Sequence, residues 1–529
     1  MNTNELVIQE LIKNRVKTQV DLAKIKRNLA KKYKISCPSN VELLKVYHKL
    51  LEDGRLKTNK NLERVLRIRS VRSLSGIVNV SVLTKPYPCP GKCLYCPSQK
   101  GIPKSYLDGE PAVMRAILNK FNPYLQVKNR VLALENTGHP TDKIELRIIG
   151  GTWSFYPKTY QTWFIKRCFD ACNRKDSKNF KKAQILNEKA KHRIIGITIE
   201  TRPDFIDEIE IKKLRKLGVT RAELGVQTIY NDVLKINNRG HGIEATIKAT
   251  KLLKDAGFKI CYQIMPNLPG SNLKKDERVF KELFSDSNFQ PDLLKIYPTA
   301  LLKKTPLLKL WKEKKYRPYD KKELTSLLKS IKKKIPHYVR IQRIIRDFPS
   351  FKIAEGGTKV SNLRQVVVKE MEKENLRCNC IRCREVKENY DPKDKLFLFR
   401  QDYEASGGKE IFLSFEDKKR NKLYSLLRLR IPSHFFSKEK HFLEVLRKAA
   451  IIREVHTYGQ LHSLQERFSR ISPQHKGLGK KMIKEAEKIS KKEFGIKKIA
   501  VISGVGARNY FRQLKYELRD GYMIKNLKK

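Results

Sequence analysis

Short apolar runs alternate with helical stretches through the middle of the chain, from about residue 77 to residue 345. The stretch 244–256, for example, has a helical pattern and ends at Gly257, a residue that commonly terminates helices. Because repeated strand–helix units pair their strands in parallel, the pattern predicts an α/β domain with an open sheet or a partial barrel. The predicted strands are 77–83, 144–149, 194–199, 221–226, 258–264, 293–297 and 338–344.

The regions on either side of this alternation have different patterns. Residues 1–75 carry apolar residues at helical spacing and basic residues on the opposite face, which predicts a basic helical region. Residues 346–392 show neither pattern and are expected to form an irregular linker. From residue 393 to residue 529 the order is α+β, so we divide the chain into regions 1–75, 76–345, 346–392 and 393–529. The elements predicted for the last region are strands 396–401, 410–415, 422–429 and 450–457, helix 480–494, strand 499–502 and a helix after Gly506.

Charge is the strongest signal in the composition. The chain has 114 Lys and Arg residues against 55 Asp and Glu residues, a net charge of +59. An excess this large favours binding to a polyanion, and RNA, DNA and an anionic membrane face all remain open from charge alone. We expect the basic helices of residues 1–75 to contact nucleic acid, although basic helix faces are often simply solvated.

The termini and the cysteines indicate the cellular compartment. No apolar run of about 18 residues is present, so no membrane span is expected, and the first residues lack an apolar signal core. Six of the ten cysteines fall in two tight triplets, which suits metal sites better than a disulfide framework. We therefore expect an intracellular, cytoplasmic protein.

The first triplet is Cys89, Cys93 and Cys96, at C-x3-C-x2-C spacing. Thiolate is the usual ligand of a 4Fe–4S cluster, and three thiolates leave one of its four irons without a protein ligand. The amino and carboxylate groups of S-adenosylmethionine (SAM) bind that open iron in radical SAM enzymes, and reduction of the cluster then cleaves SAM. The alternative is a zinc knuckle with a distant fourth ligand.

The carboxyl ends of the predicted strands carry further residues that a SAM site needs. Chemistry in parallel barrels lies at this end, where the cysteine loop also follows the first strand. Gly150 and Gly151 end the second strand, and glycines there let backbone carbonyls approach the SAM amino group. Glu200, Arg202 and Gln227 end the third and fourth strands and could reach the ribose or the carboxylate of SAM, or be ordinary polar surface residues.

The second triplet, Cys378, Cys380 and Cys383, has C-x-C-x2-C spacing and predicts a structural zinc ion between domains. A fourth ligand is not evident. His337 is the nearest upstream histidine, but a single histidine is usually not a ligand.

The C-terminal region has the features of an acyl-CoA domain of the GNAT type. Gln474, Gly477 and Gly479 form a Q-x-x-G-x-G pattern just before a predicted helix, whose N-terminal N–H groups suit a pyrophosphate. The edge of strand 450–457 could pair with the pantetheine amide. Tyr510 follows near the thioester end and could act as an acid or as a donor to the thiolate, or simply pack in the core.

Together these motifs resemble one family, and the resemblance extends over nearly the whole chain. The chain resembles the catalytic subunit of Elongator, the third Elongator protein, in its archaeal type. This resemblance implies a radical SAM partial (β/α) barrel joined to a GNAT acetyltransferase domain, and an enzyme that modifies the wobble uridine of tRNA. Besides the cysteine loop, the segments that carry it are 150–152, 197–204, 221–227, 295–298 and 501–510.

The resemblance also implies a reaction and an acetyl-CoA site. A SAM-derived radical would take hydrogen from the methyl of acetyl-CoA, and that carbon would add to carbon 5 of uridine 34, leaving 5-carboxymethyluridine after thioester hydrolysis. Lys158 would reach acetyl-CoA from the radical SAM side, as a catalytic residue with Tyr510. Phe511 replaces the second tyrosine of the family's motif, so no role of that hydroxyl transfers. The other implied acetyl-CoA contacts are Glu454, Val455, His456, Thr457, Leu478, Gly479 and Lys480.

Two other functions remain open from the sequence. One is a protein lysine acetyltransferase in which the iron–sulfur domain is only structural, and the other is an RNA-binding scaffold without activity. The radical reaction needs an external electron donor, and the sequence leaves open whether the chain forms a homo-oligomer.

Overall fold

The computed structural model of this protein describes residues 3–68, 73–387, 390–459 and 477–527. Over these ranges the chain forms a helical N-terminal region, a central parallel sheet with helices outside it, and a mixed C-terminal sheet. Among the helices described, none combines the length and the hydrophobicity that crossing a bilayer requires.

Helices fill the N-terminal region, as the sequence predicts. Thr18 and Ser39 start two of them with capping boxes, in which each side chain accepts from the third backbone N–H of its helix. Leu22, Leu43 and Tyr47 belong to the apolar core that the helices share. Within residues 3–68 the helices are α1 (Thr3–Lys13), α2 (Gln19–Lys32), α3 (Asn40–Glu52) and α4 (Lys60–Leu66).

The central sheet is a curled, parallel half-barrel, and all of its predicted strands are confirmed. Its strands follow one another in chain order across the sheet, and each pairs in parallel with the next. They are β1 (Val78–Leu83), β2 (Lys143–Ile149), β3 (Arg193–Thr201), β4 (Arg221–Gln227), β5 (Lys259–Ile264), β6 (Leu293–Ile296) and β8 (Arg340–Ile344). Two short strands form a separate antiparallel pair, β7 (Leu301–Leu302) and β9 (Ile353–Glu355).

Helices cover the outside of this sheet, and the alternation of side chains along each strand separates two environments. On β2, Ile144, Leu146 and Ile148 pack into the main apolar core, whereas Glu145 and Arg147 face the interior of the half-barrel. The covering helices are α5 (Pro111–Leu118), α6 (Pro123–Glu135), α7 (Lys158–Asn173), α8 (Phe180–Asn187), α9 (Glu208–Lys216), α11 (Ile243–Asp255), α12 (Leu273–Ser285) and α14 (Lys321–Lys334). Two short helices, α10 (Asn231–Ile236) and α13 (Leu307–Lys312), pack beside the loop that carries Cys93.

The expectation of an irregular linker at 346–392 is wrong in part. This segment contains α15 (Leu363–Lys373) and the short α16 (Ile381–Arg384). Leu363, Val367 and Met371 recur every four residues and bury one face of α15 in the main core. The helical pattern was therefore present in the sequence, but it spans only three turns and its other faces are charged.

The C-terminal sheet is mixed and confirms the predicted strands of this region. All of its neighbouring pairs are antiparallel except β13 with β14. The last two strands were not predicted. In the order in which they pair, the strands are β10 (Phe397–Ala405), β11 (Gly408–Glu416), β12 (Leu423–Ile431), β13 (Ala449–Thr457), β14 (Lys498–Val501), β16 (Tyr522–Asn526) and β15 (Glu517–Arg519), with helices α17 (Leu478–Lys492) and α18 (Arg508–Arg512).

Buried ion pairs join the two domains at the amino ends of the barrel strands. Asp292, just before β6, accepts hydrogen bonds from both terminal nitrogens of Arg453 on β13, at 3.0 and 2.5 Å. Arg428 on β12 lies 3.5 Å from the same carboxylate, and Arg453 also donates to Glu410 at 2.8 Å. All four side chains are almost completely buried. We call this cluster of Asp292, Glu410, Arg428 and Arg453 the domain joint.

Candidate active site

A cavity of about 220 Å³, the cluster cavity, opens at the carboxyl ends of the barrel strands. The loop after β1 brings the first cysteine triplet to this end, as the sequence predicts. Most of the residues predicted from the strand ends meet there. Those that line the cavity are Cys89, Cys93, Cys96, Gly151, Glu200, Arg202 and Gln227.

The geometry of the first triplet favours a cluster over a single zinc ion. Its three sulfur atoms do not all lie within 4.8 Å of one another. Two thiolates on one zinc, at Zn–S distances of about 2.3 Å, cannot be more than about 4.6 Å apart. Arg239 donates to the sulfur of Cys93 at 3.7 Å, and the Gly91 N–H donates to that of Cys89 at 3.4 Å. The separation of the sulfur atoms therefore fits a larger iron–sulfur group better than one zinc ion.

The turn after β2 has to be glycine for steric reasons. Gly150 and Gly151 have φ angles of +134° and +100°, which residues with a side chain rarely adopt. A Cβ on Gly150 would lie 2.0 Å from the hydroxyl oxygen of Thr84 at the end of β1. The turn therefore lets β1 and β2 end side by side, and it places Thr152 4.0 Å from the sulfur of Cys89.

Several polar groups face the cluster cavity without a partner among the described residues. Arg202 donates to Asp204 at 2.9 and 2.7 Å, while its Nη1 has no hydrogen-bond partner there. The side-chain oxygen of Gln227 is also unpaired, and this residue has a φ of +74°. Because a buried polar atom without a partner is costly, both groups indicate that the cavity holds a polar ligand.

A layer of buried ion pairs crosses the interior of the barrel below this cavity. Glu223 on β4 accepts hydrogen bonds from Arg147 on β2, at 3.2 Å, and from Lys295 on β6. Lys295 also donates to Glu200 at 3.0 Å. Burial by itself would raise the pKa of Glu223, but Arg147, Lys295 and Arg221 hold that pKa at about 2. The carboxylate is therefore charged at neutral pH, and we call Arg147, Glu223 and Lys295 the ion-pair layer.

A second cavity, of about 590 Å³, lies on the other side of this layer, between the amino ends of the barrel strands and the C-terminal sheet. We call it the lower cavity. Arg147 and Lys295 line both cavities, so the two cavities adjoin at the ion-pair layer. The predicted residues that line the lower cavity are Glu454, Val455, His456, Thr457, Gly479, Tyr510 and Phe511.

The backbone around the lower cavity leaves one strand edge open. β13 pairs with β14 only over Ala449–Ile452, so the two strands separate before β13 ends. The residues beyond this point, 454–457, border the cavity with an edge that β14 does not cover. The N-terminus of α17 lies beside this edge, and no side chain of the described residues caps its backbone N–H groups. The arrangement can pair with an amide and bind an anionic group.

Two side chains of the lower cavity have defined protonation states. Tyr510 lies close to the start of α17, because a Cβ on Gly479 would be 3.1 Å from its hydroxyl oxygen. Burial raises the pKa of Tyr510 to about 12, so it is a proton donor at neutral pH. Burial also lowers the pKa of His456, whose neutral ring donates from Nε2 to the carbonyl of Ser75 at 2.7 Å.

The remaining predicted residues lie near the cavities or apart from them. Gly477 precedes α17, and Leu478 and Lys480 lie in its first turn beside Gly479. Gln474 lies outside the described residues. Lys158 is exposed at the start of α7 and is not among the described residues that line either cavity, so its role stays a prediction.

The second triplet has a tighter geometry than the first. The sulfur atoms of Cys378, Cys380 and Cys383 all lie within 4.8 Å of one another, as ligands of one ion would. Lys332 donates to Cys383 at 3.6 Å. No fourth Cys, His, Asp or Glu of the described residues joins the group.

The sequence did not predict the side chains that contact partners on other strands and loops. Arg239 reaches Cys93 from a loop after α10, and the members of the ion-pair layer come from three different strands. The available signal was a charged residue at alternate positions of otherwise apolar strands, such as Arg147 and Glu223.

Comparison with known proteins gives consistent matches over the chain. The model of the radical SAM superfamily matches residues 87–283, and that of the radical SAM C-terminal domain matches residues 291–373. A tRNA uridine(34) acetyltransferase from Methanocaldococcus infernus is 44% identical over 537 residues, covering 99% of this chain and 98% of the relative. Human Elongator complex protein 3 is 36% identical over 539 residues, covering 99% of this chain and 96% of the relative.

A solved structure matches the fold as well. The archaeal Methanocaldococcus infernus Elp3 with an N-terminal deletion has a TM-score of 0.75 and 44% sequence identity to this chain. The match covers 86% of this chain and 100% of the other. The similarity therefore includes the half-barrel and the C-terminal sheet alike.

Proposed function

We propose, since this chain belongs to the radical SAM family of tRNA uridine(34) acetyltransferases and Elongator complex protein 3, that it builds a carboxymethyl group on tRNA uridine 34. In the proposed reaction a SAM-derived radical takes one hydrogen atom from the methyl of acetyl-CoA, and that carbon then bonds to carbon 5 of the uridine. The uridine adduct loses the hydrogen of carbon 5 as a proton and returns the one electron that cleaved SAM, and hydrolysis of the thioester by water leaves the carboxylate. The observation that carries the proposal is the pair of cavities at opposite ends of one barrel, which share Arg147 and Lys295.

The cluster cavity would hold the iron–sulfur cluster and SAM. When bound, a reduced 4Fe–4S cluster supplies the electron, taken from an external donor, that splits SAM into methionine and a 5′-deoxyadenosyl radical. Cys89, Cys93 and Cys96 would be its ligands. The unpaired groups of Arg202 and Gln227 are suited to the polar end of SAM, and Gly151 lines the cavity beside them.

The lower cavity would hold acetyl-CoA. The free edge of β13 is suited to the pantetheine amides, and the N-terminus of α17 is suited to the pyrophosphate. Tyr510, protonated at neutral pH, would donate its proton to the CoA sulfur as the thioester is cleaved. An acetyl group held in this cavity would have Arg147 and Lys295 among its lining residues.

We infer that the N-terminal helices bind the body of the tRNA. Lys24 and Arg27 are exposed on α2, and the net charge of +59 favours a polyanionic substrate. The same charge disfavours the basic tails on which a protein lysine acetyltransferase acts.

The function is tested with SAM, acetyl-CoA labelled in its methyl carbon, dithionite and unmodified tRNA under anaerobic conditions. We expect 5′-deoxyadenosine together with a labelled carboxymethyluridine, measured by mass spectrometry of the tRNA nucleosides. Tyr510→Phe should lower formation of the uridine product about 100-fold or more, because it removes the proposed acid, while SAM cleavage without tRNA continues.

Tyr516→Phe is the matched control, since that hydroxyl donates to Glu487 at 2.7 Å and Tyr516 is not among the residues that line the lower cavity. An acetyl group found on protein lysine, with no label in the tRNA, would refute the proposed reaction. A Tyr510→Phe enzyme with unchanged product formation would remove the tyrosine from it.

We also propose that Cys378, Cys380 and Cys383 bind one structural zinc ion. Cys380→Ser is expected to remove about one zinc per chain and to lower the melting temperature, with the iron content unchanged, because the sulfur distances fit a single ion. Elemental analysis measures both metals. Cys37→Ser, at an exposed and isolated cysteine, should change neither. Loss of iron rather than zinc would assign the triplet to a cluster instead.

A further inference from the structure

Aromatic side chains group beside the cluster cavity, close in sequence to its lining residues Cys89 and Thr152. Tyr87 lies two residues before Cys89, and Phe155 lies in the short helical turn that follows Thr152. Tyr160 and Trp163 continue the group along α7. We call these four residues the aromatic rim. The centroid of the Tyr87 ring is 5.9 Å from that of Phe155, and the centroid of the Tyr160 ring is 5.6 Å from that of Trp163.

The outer members of the aromatic rim are exposed to solvent. Phe155 is 37% exposed and Trp163 is 45% exposed, whereas Phe164, the next residue on α7, is completely buried. A single exposed aromatic residue is ordinary, but neighbouring exposed rings beside a cavity mark a binding surface. The proposed SAM and acetyl-CoA contacts use none of these four rings.

Hydrogen bonds hold the floor of the aromatic rim in place. Tyr156 stacks on Tyr87 with ring centroids 4.8 Å apart, and its hydroxyl donates to the carbonyl of Lys85 at 2.8 Å. The backbone N–H of Lys85 donates to the hydroxyl of Tyr160 at 3.0 Å. A surface fixed in this way loses little conformational entropy when a flat ligand stacks on it.

The charge around the aromatic rim is positive. Residues 85–107 contain four lysines and no Asp or Glu, and residues 150–169 also lack acidic residues. The Lys85 ammonium lies 5.0 Å from the centroid of the Tyr160 ring. The carboxylate of Asp204, near Phe205, is paired with Arg202. Rings with cations beside them complement a chain of bases joined by phosphates.

We propose that the aromatic rim binds unpaired nucleobases of single-stranded RNA by stacking, and so presents a loop of the RNA to the cluster cavity. The inference rests on the proposed function, because the target of that reaction is a base in a tRNA loop. Stacking needs bases that are splayed out of a helix, so the rim should select a loop over a duplex.

The test compares two RNA probes with the full-length protein. One is a hairpin with an unpaired pyrimidine-rich loop, and the other is a blunt duplex with the sequence of its stem. Phe155→Ala and Trp163→Ala are each expected to weaken hairpin binding about fivefold or more and to leave duplex binding unchanged. The slope of log affinity against log salt should stay the same in both variants, because no charge is removed. Lys85→Ala should instead reduce that slope.

Two further variants distinguish affinity that is lost with stacking from affinity that is lost through misfolding. Trp163→Leu keeps an apolar side chain against Tyr160 and should still lose most of the affinity for the hairpin. Phe436→Ala, at a side chain that is 56% exposed on the C-terminal domain, should bind both probes as the wild type does. Unchanged hairpin affinity in the Phe155 and Trp163 variants, or an equal loss on the duplex, would overturn the inference.

The same variants keep the inference distinct from the proposed function. If Phe155→Ala and Trp163→Ala modify tRNA with an unchanged KM, the aromatic rim has no role although the function stands. If the hairpin binds through these rings but no uridine product ever forms, the rim is a binding surface and the proposed reaction fails.

Discussion

Cys93→Ala is expected to abolish assembly of the iron–sulfur cluster and to reduce SAM cleavage at least about 1,000-fold, since no radical forms without the cluster. Cys93 is 9% exposed, and its sulfur accepts a hydrogen bond from Arg239. With one of three protein ligands lost, two irons of the cluster would lack a thiolate instead of one. The measurements are iron content, the visible absorption of anaerobically reconstituted protein, and 5′-deoxyadenosine formed with dithionite.

The control for this prediction is Cys37→Ala, because Cys37 is exposed on the N-terminal region and belongs to neither triplet. It should retain full iron content and full SAM cleavage. A Cys93→Ala protein that kept its iron and its activity would show that the first triplet is not the cluster site, and the proposed function would lose its radical source.

Asp292→Asn is expected to destabilise the protein by about 3–5 kcal/mol, the range typical when a buried ion pair loses one partner. Asp292 is completely buried and faces Arg453 and Arg428, whose charges would lose their main counter-ion in the domain joint. Denaturant unfolding measures the loss. Because the lower cavity lies between the two domains, acetyl-CoA affinity should also fall, while SAM cleavage without tRNA should be less affected.

The effect of Asp292→Asn should depend on pH in a defined direction. Arg453, Lys254 and Arg428 outweigh the effect of burial and hold the pKa of Asp292 well below its usual value. A carboxyl whose pKa is lowered by folding stabilises the folded state at pH values above its unfolded-state pKa of about 3.9. This stabilisation is lost as the pH falls below that value. The difference in unfolding free energy between wild type and variant should therefore shrink below about pH 4.

Asp232→Asn is the matched control for this prediction. Asp232 also pairs with a lysine, Lys275, but its side chain is 62% exposed. An exposed pair of this kind contributes at most about 1 kcal/mol. If both substitutions cost the same, the domain joint does not hold the two domains together.

Local sequence patterns were enough to predict the order of strands and helices in the fold. Each barrel strand is a short apolar run between helical stretches, so its position could be predicted without knowing its neighbours. The helix α15 was missed because its apolar residues Leu363, Val367 and Met371 are diluted by charged ones. The strand β15 was missed because it has only three residues and all three are exposed, so its pattern does not differ from that of a turn. Its partner β16 was missed as well.

The residues of the candidate site also divide into those that local motifs predicted and those that depend on the fold. The three cysteines and the Gly150–Gly151 turn are local motifs, and they could be read directly. Glu223 and Lys295 are 72 positions apart, and only the parallel register of the sheet brings them together. Arg239 and Cys93 are 146 positions apart and meet through the packing of a loop. Pairs of this kind depend on the fold, so the ion-pair layer could not be predicted from the sequence.

The two cavities open on opposite ends of the barrel, and this has a consequence for turnover. In the proposed reaction, methionine and 5′-deoxyadenosine would leave from the carboxyl ends of the strands, and free CoA would leave from beside α17. Neither product then blocks the exit of the other. Free CoA could leave while the RNA stays bound, whereas spent SAM would leave through the end at which the RNA docks.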